Sequence, residues 1–192
     1  MRIDHLAFRV KDRHTTANFF KEAMGYRPCS RVPEGFRVDF DDGTYALCTV
    51  LVPGERPDAT GTLPRLSWNT FVPIPDHPDI LQEYHQPPEV FISEGSPGSI
   101  VDRWVKTNGN RLHHIALQVE NITETRQHWQ EKGYASFASD EILECPGLKQ
   151  IFTNPSDLTG CIWELIERDP KDNGFCVDNV RNLMLSTDAK QT

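Results

Sequence analysis

An internal repeat constrains this chain more than any other feature. His5-Leu-Ala-Phe-Arg-Val10 opens a stretch that runs through a polar, helix-like segment to Gly25-Tyr26. His114-Ile-Ala-Leu-Gln-Val119 opens a second stretch, which closes on Gly133-Tyr134. The histidines are 109 residues apart and the glycines 108. A register held over a strand, a turn and a helix marks a unit built twice. Whatever one histidine does, its twin does from a symmetry-related place, and two histidines converging from two halves are the beginning of a metal site.

The facial pattern repeats with the histidine. In the first strand Ile3, His5, Ala7 and Arg9 alternate with the apolar Leu6, Phe8 and Val10. In the second, Leu112, His114, Ala116 and Gln118 alternate with Ile115, Leu117 and Val119. One face of each strand packs against a helix; the other, with a histidine, a small residue and a polar one, suits a partly wet concave surface. This alternation sends His113 to the face opposite His114, and His14, His77, His85 and His128 read as surface residues along with it.

Thr15 to Met24 reads as a helix with Phe19, Phe20 and Met24 buried and Gly25 as its stop. Thr123 to Lys132 is its twin, capped by Asn121 or Thr123 and stopped by Gly133. Asp41-Asp42-Gly43 predicts a hairpin between strands at 36–40 and 44–52. Residues 53–64 read as an exposed loop. Further strands are expected at 66–74 and 80–85, and a short helix at 99–107. In the second half, strands at 147–153 and 161–167 flank the turn-rich Asn154-Pro155-Ser156-Asp157. A tail from Asn173 to Ser186 has a helical pattern, with Val177, Val180, Leu183 and Met184 on one face. The expected organisation is a first unit at 1–92 with an inserted hairpin and loop, a linker at 93–110, a second unit at 111–168 and a helical tail at 169–192.

Composition narrows the partners. A formal charge of −8 argues against nucleic acid, which requires a concentrated basic surface. No apolar run approaches the roughly 18 residues of a membrane span. Five widely spaced cysteines without a Cys-x-x-Cys pair suit reduced thiols, and the strand-like start lacks a signal peptide, so a cytoplasmic protein is expected.

Glu164 lies in Cys161-Ile-Trp-Glu-Leu-Ile-Glu167, on one strand face with Ile162 and Ile166. A carboxylate among apolar neighbours is costly unless it is paired or bound to a cation. Two histidines and one such carboxylate make the facial triad of non-haem iron(II). His114 precedes Glu164 by 50 residues, and His5 precedes Glu83, the expected counterpart in Leu81-Gln-Glu-Tyr-His85, by 78. The excess matches the Asp-Asp-Gly hairpin and the loop after it.

On His5-Leu-Ala-Phe-Arg-Val10, His114-Ile-Ala-Leu-Gln-Val119 and Glu164-Leu-Ile-Glu167, the chain resembles the vicinal oxygen chelate superfamily of glyoxalases, epimerases, extradiol dioxygenases and bleomycin resistance proteins. The resemblance implies an α+β fold of two tandem βαβββ modules, whose mixed sheet forms a cup around one divalent metal, here followed by a C-terminal helix. Ile3-Asp4-His5, Gln150-Ile-Phe-Thr-Asn-Pro155, Glu164 to Arg168 and Gly174-Phe175 are similar to the catalytic domain of the 4-hydroxyphenylpyruvate dioxygenase family, whose members run to about twice this length. This implies metal ligation by His5, His114 and Glu164, substrate contact by Gln150 and Phe152, and Phe175 lining a helical lid. Arg9 and Gln118 join the substrate-facing set from the histidine faces. Phe71-Val-Pro-Ile74 and Glu83, four residues before Pro87, instead resemble the epimerases, in which this position is a fourth ligand and base.

Coordination arithmetic separates the readings. Three protein donors leave an octahedral ion three positions, enough for a bidentate 2-oxo acid and dioxygen. Four leave two, which suits proton transfer beside a metal-polarised carbonyl. The expected function is an iron(II) dioxygenase acting on a small molecule, possible as a homodimer. The alternatives are an epimerase, isomerase or lyase with Mn, Co, Ni or Zn, and a binding protein without turnover.

Overall fold

A computed structural model describes residues 2–54, 69–74, 77–85, 88–157, 159–169 and 175–188, the two segments at 69–74 and 77–85 by their backbone. The first half runs β1 (Arg2–Val10), α1 (Arg13–Met24), β2 (Arg27–Pro28), β3 (Phe36–Asp39), β4 (Tyr45–Val52), β5 (Asn69–Ile74), β6 (His77–His85) and β7 (Glu89–Gly95). After α2 (Ile100–Asn108) come β8 (Arg111–Gln118), α3 (Ile122–Glu131), β9 (Leu143–Cys145), β10 (Leu148–Phe152), β11 (Ile162–Arg168) and α4 (Val177–Asp188).

Among the described residues, nine strands form one mixed sheet in the order β2-β4-β7-β1-β8-β11-β10-β9, with β3 also on β4. Its centre is the antiparallel pair of β1 and β8. Outward on each side lies a parallel neighbour, β7 beside β1 and β11 beside β8, and then an antiparallel one, β4 and β10. The repeat in sequence is thus a pseudo-two-fold in the sheet.

Local chemistry explains the helices that cover it. Asp12 caps α1 by accepting from the His14 and Thr15 amides, and Gly25 ends it at φ +71°, a conformation that disfavours a side chain. Asn121 caps α3 by accepting from Glu124 N. The α1 side of the sheet buries Phe20 with Val10, Leu51, Val90 and Ile92. The α3 side buries Ile122 with Val119, Ile151 and Leu165. The opposite face packs Ala7, Val38, Ala46, Val50 and Phe91 against α2 and α4 through Ile100, Val101, Val180 and Met184. Within α1 only Ala17 and Phe20 are buried; Phe19 and Met24, expected inside, are exposed at 59% and 56%, because a twelve-residue helix on a sheet has room for one narrow stripe. Val177 is likewise exposed, while Val180, Leu183 and Met184 are buried.

Two assignments from sequence are corrected. The 41–43 hairpin does form, with Phe40 N donating to Thr44 O, but β4 is integral to the main sheet and so is not an insertion. The extra chain lies between β4 and β7. The strand that closes the first module is not 80–85 but β7, which extends past residue 92. β6 pairs with β5 in a separate two-stranded sheet. The physical reason is that a parallel strand in mid-sheet is buried on both faces. Val90-Phe91-Ile92 meets that demand; Leu81-Gln-Glu-Tyr-His85, half polar, does not.

Candidate metal centre

β1 and β8 are each interrupted by a one-residue slip of pairing. Ile3 lies opposite Leu117 but His5 opposite Ala116, which leaves Asp4 as the extra residue. Ala7 lies opposite His114 but Phe8 opposite Leu112, which leaves His113 as the extra one. A β-bulge turns its extra side chain away from strict alternation. Asp4 and His113 are therefore buried beside the histidines that follow them. This overturns the expectation that His113 faces away from His114: their Nδ1 atoms are 2.8 Å apart. Asp4 Oδ1 lies 2.9 Å from His5 Nδ1, and Arg168 grips the same carboxylate with Nε and Nη2, each at 2.9 Å.

The other edges of the two imidazoles meet Glu164. His5 Nε2 is 3.3 Å and His114 Nε2 3.1 Å from Glu164 Oε2, and the two Nε2 atoms are 3.4 Å apart. Two bonds of about 2.1 Å at right angles hold their donor atoms about 3.0 Å apart, so this triangle fits one small divalent cation. Glu164 is 1% exposed and His5 2%. The second carboxylate oxygen, Oε1, accepts from Gln150 Nε2 at 2.5 Å, and Gln150 Oε1 accepts from Asn179 Nδ2 on α4 at 3.2 Å. Glu164 thus turns a single oxygen toward the histidines. Among the described residues, this is the cluster with the donor set for a metal.

The charges are interlocked. Burial opposes ionisation of Glu164, but the charge of His5 and hydrogen bonds from both imidazoles outweigh it and hold the carboxyl down to about 2. Burial also opposes the charged form of His5; the Glu164 charge and the Asp4 hydrogen bond overcome it and raise His5 to about 9. Asp4 is held below the usual carboxylate range, its own burial overcome by His5 and Arg168. His114 is lowered, mainly by burial, and His113 falls well below 6.5 through burial, the Arg9 charge and His114. With no cation bound, the centre is an imidazolium–carboxylate pair.

The sheet register shows what stands in the fourth position. Glu164 lies opposite Ala116, two residues after His114. The residue opposite Ala7, two after His5, is Phe91. Phe91, not Glu83, is therefore the counterpart of Glu164, and it is buried with its ring centroid 6.2 Å from that of His5. The backbone of Glu83 pairs with Phe71 in the β5–β6 hairpin, and its side chain lies outside the described residues.

The triad opens into a cavity lined mainly by aromatic and aliphatic side chains. Phe152 packs on His114 at 4.6 Å between centroids, and Phe175 on His5 at 5.3 Å. α4 closes the other side with Val180, Leu183 and Met184. Arg9 lines the cavity, donates from Nη2 to Thr187 Oγ1 at 3.2 Å and lies 5.6 Å from the Trp104 ring. Gln150 lines it too, with its amide on Glu164. Gln118, expected beside the substrate, is not among the residues that line it; it sits at the end of β8 opposite Arg2 and Ile166. Alternation could not reveal Asp4 or His113, because a bulge is a departure from alternation. Since groups around metal ligands govern affinity by about 10–100-fold, Gln150→Ala is expected to weaken metal binding within that range in a competition titration.

Residues 4–144 match the family model of the Glyoxalase/Bleomycin resistance protein/Dioxygenase superfamily. The chain belongs to this superfamily. A search of curated proteins found no match. Among solved structures, a variant of 4-hydroxymandelate synthase from Streptomyces coelicolor superposes with a TM-score of 0.68 at 16% identity, over 100% of this chain and 54% of that one. A selenomethionine methylmalonyl-CoA epimerase gives 0.56 at 20% identity, over 88% and 96%. The Mycobacterium tuberculosis epimerase gives 0.55 at 14%, over 88% and 89%. At these identities the likeness shows the shared superfamily fold.

Proposed function

We propose that this member of the superfamily is a divalent-metal-dependent enzyme, and that it is an iron(II) dioxygenase acting on a 2-oxo acid or a related small molecule. One observation carries the choice. Phe91 occupies the position that the pseudo-two-fold assigns to a fourth donor, so His5, His114 and Glu164 leave three positions of an octahedral ion open. The donor set also suits Mn, Co, Ni and Zn, and iron is favoured by the triad of two histidines and one carboxylate. When bound, iron(II) supplies Lewis acidity toward the 2-oxo acid and the electrons that reduce dioxygen. The chain does the rest. Asp4, clamped by Arg168, keeps the His5 proton on Nδ1 and its Nε2 free to ligate. Gln150 occupies one carboxylate oxygen and keeps Glu164 a single-atom donor. Phe91, Phe152 and Phe175 keep water from the open positions, and Arg9 places a positive charge in the substrate space.

The test is dioxygen uptake by anaerobically purified, iron-loaded protein on a panel of 2-oxo acids. The expected result is uptake with at least one of them. Installing a fourth donor with Phe91→Gln should retain the iron and depress that uptake. A second reading, a four-ligand epimerase or isomerase, draws on the match to epimerase structures over nearly their whole length. Dioxygen-independent deuterium exchange at a substrate carbon, lost in Glu83→Ala, would establish that reading and remove the first.

Phe175 supplies a further check. α4 is packed into the core, so deleting it would expose Val38 and Ala46; Phe175 covers His5 without that complication. Phe175→Ala should raise KM for the substrate several-fold while metal content stays at one per chain, because the change opens the cavity and leaves the donors in place.

A further inference from the structure

The two modules carry the same bulge before the same histidine and use it differently. In the first, the His5 Nδ1–H ends on Asp4, whose carboxylate is held by Arg168. In the second, the residue in the bulge is itself a histidine. We propose that His113 is the donor this site offers to its substrate: a cation on His114 Nε2 fixes the His113 proton on its own Nε2, inside the cavity, where it meets an acceptor oxygen of a bound organic acid. The inference rests on the metal reading above.

A ligating imidazole gives its lone pair to the ion, so His114 bound through Nε2 carries its proton on Nδ1. That atom is 2.8 Å from His113 Nδ1, and an N–H···N bond needs a lone pair there. Neutral His113 then has one place left for its proton, Nε2. This atom is buried and has no hydrogen-bond partner among the described residues. Buried N–H groups are normally satisfied, so the missing partner is itself informative. The His113 ring stands edge-on to Trp104 at 5.3 Å and 6.3 Å from Phe152, and neither ring carries an oxygen or nitrogen acceptor. His113 lines the cavity wall, and a bound acid must bring its acceptor against this buried nitrogen. Arg9 lines the same cavity, and its charge favours an anionic oxygen over a neutral one. The ligand class is a small organic acid.

The experiment uses the full chain, labelled with ¹⁵N at histidine and loaded with zinc, a diamagnetic probe of the same donors. Long-range ¹H–¹⁵N correlation reads the tautomer of each ring. His113 is expected as the Nε2–H form and His114 as Nδ1–H, and pyruvate should shift the His113 signals. His113→Phe should weaken pyruvate binding by about tenfold or more with one zinc still bound per chain, whereas His113→Gln, which keeps a donor, should stay within about threefold. The inference is overturned by an Nδ1–H His113 in zinc-loaded protein, by His113 signals that pyruvate leaves unmoved, or by equal pyruvate affinity in His113→Phe. Zinc content of the same samples separates the two failures: zinc bound with any of these results removes the role of His113 alone, and no zinc uptake removes the metal reading and this inference together.

Discussion

Replacing His5, His114 or Glu164 by alanine is expected to strip the purified protein of stoichiometric metal. The three donor atoms lie 3.1 to 3.4 Å from one another, so each is one corner of a single small site. Loss of a corner leaves two donors, and the effect should exceed the about 10–100-fold that outer groups exert on affinity. The fold should persist, because the main apolar clusters are built from other residues on both faces of the sheet. Metal analysis with circular dichroism on the same samples reads both effects. Wild-type metal content in all three variants would remove the site.

Metal affinity is expected to climb with pH as far as about 9. In the metal-free protein His5 is raised to about 9, so at neutral pH the cation must displace its proton. Each pH unit below that value then costs roughly tenfold in affinity, and about one proton is released per ion bound near pH 7. Calorimetry in buffers of different ionisation enthalpy measures the release directly. The same groups set the stability of the metal-free chain. The raised His5 contributes stability that is fully present below its unfolded value of 6.5 and lost as pH rises through about 9. The lowered Glu164 contributes stability that is present above 4.5 and lost as pH falls through about 2. The melting temperature of metal-free protein should therefore decline between pH 6.5 and 9, and bound metal should abolish that decline. Constant affinity from pH 6 to 8 without proton release would contradict the imidazolium–carboxylate pair.

The repeat, the α+β class and the place of the histidines on paired strands were legible because they depend on local periodicity. Period-two alternation put His5 with Ala7, His114 with Ala116 and Glu164 with Ile166, and the sheet brings these three polar side chains together. The tail helix was legible from the spacing of Val180, Leu183 and Met184. The position opposite Ala7 was not. Which of two candidate strands runs beside β1 is settled by competition for a place buried on both faces, and the apolar Val90-Phe91-Ile92 prevails over the more polar 80–85 segment. That single exchange puts Phe91 where Glu83 was expected.

By itself, the sequence determined the duplicated module, the three candidate donors and the faces on which regular strands present them, since each follows from residue chemistry and a short-range period. Only the tertiary structure decided the two bulges, the Arg168 clamp on Asp4 and the contact of His113 with His114. A bulge exists where two strands of unequal local length are forced into one register, and a clamp 164 residues away in the chain exists only once β1 and β11 share a sheet.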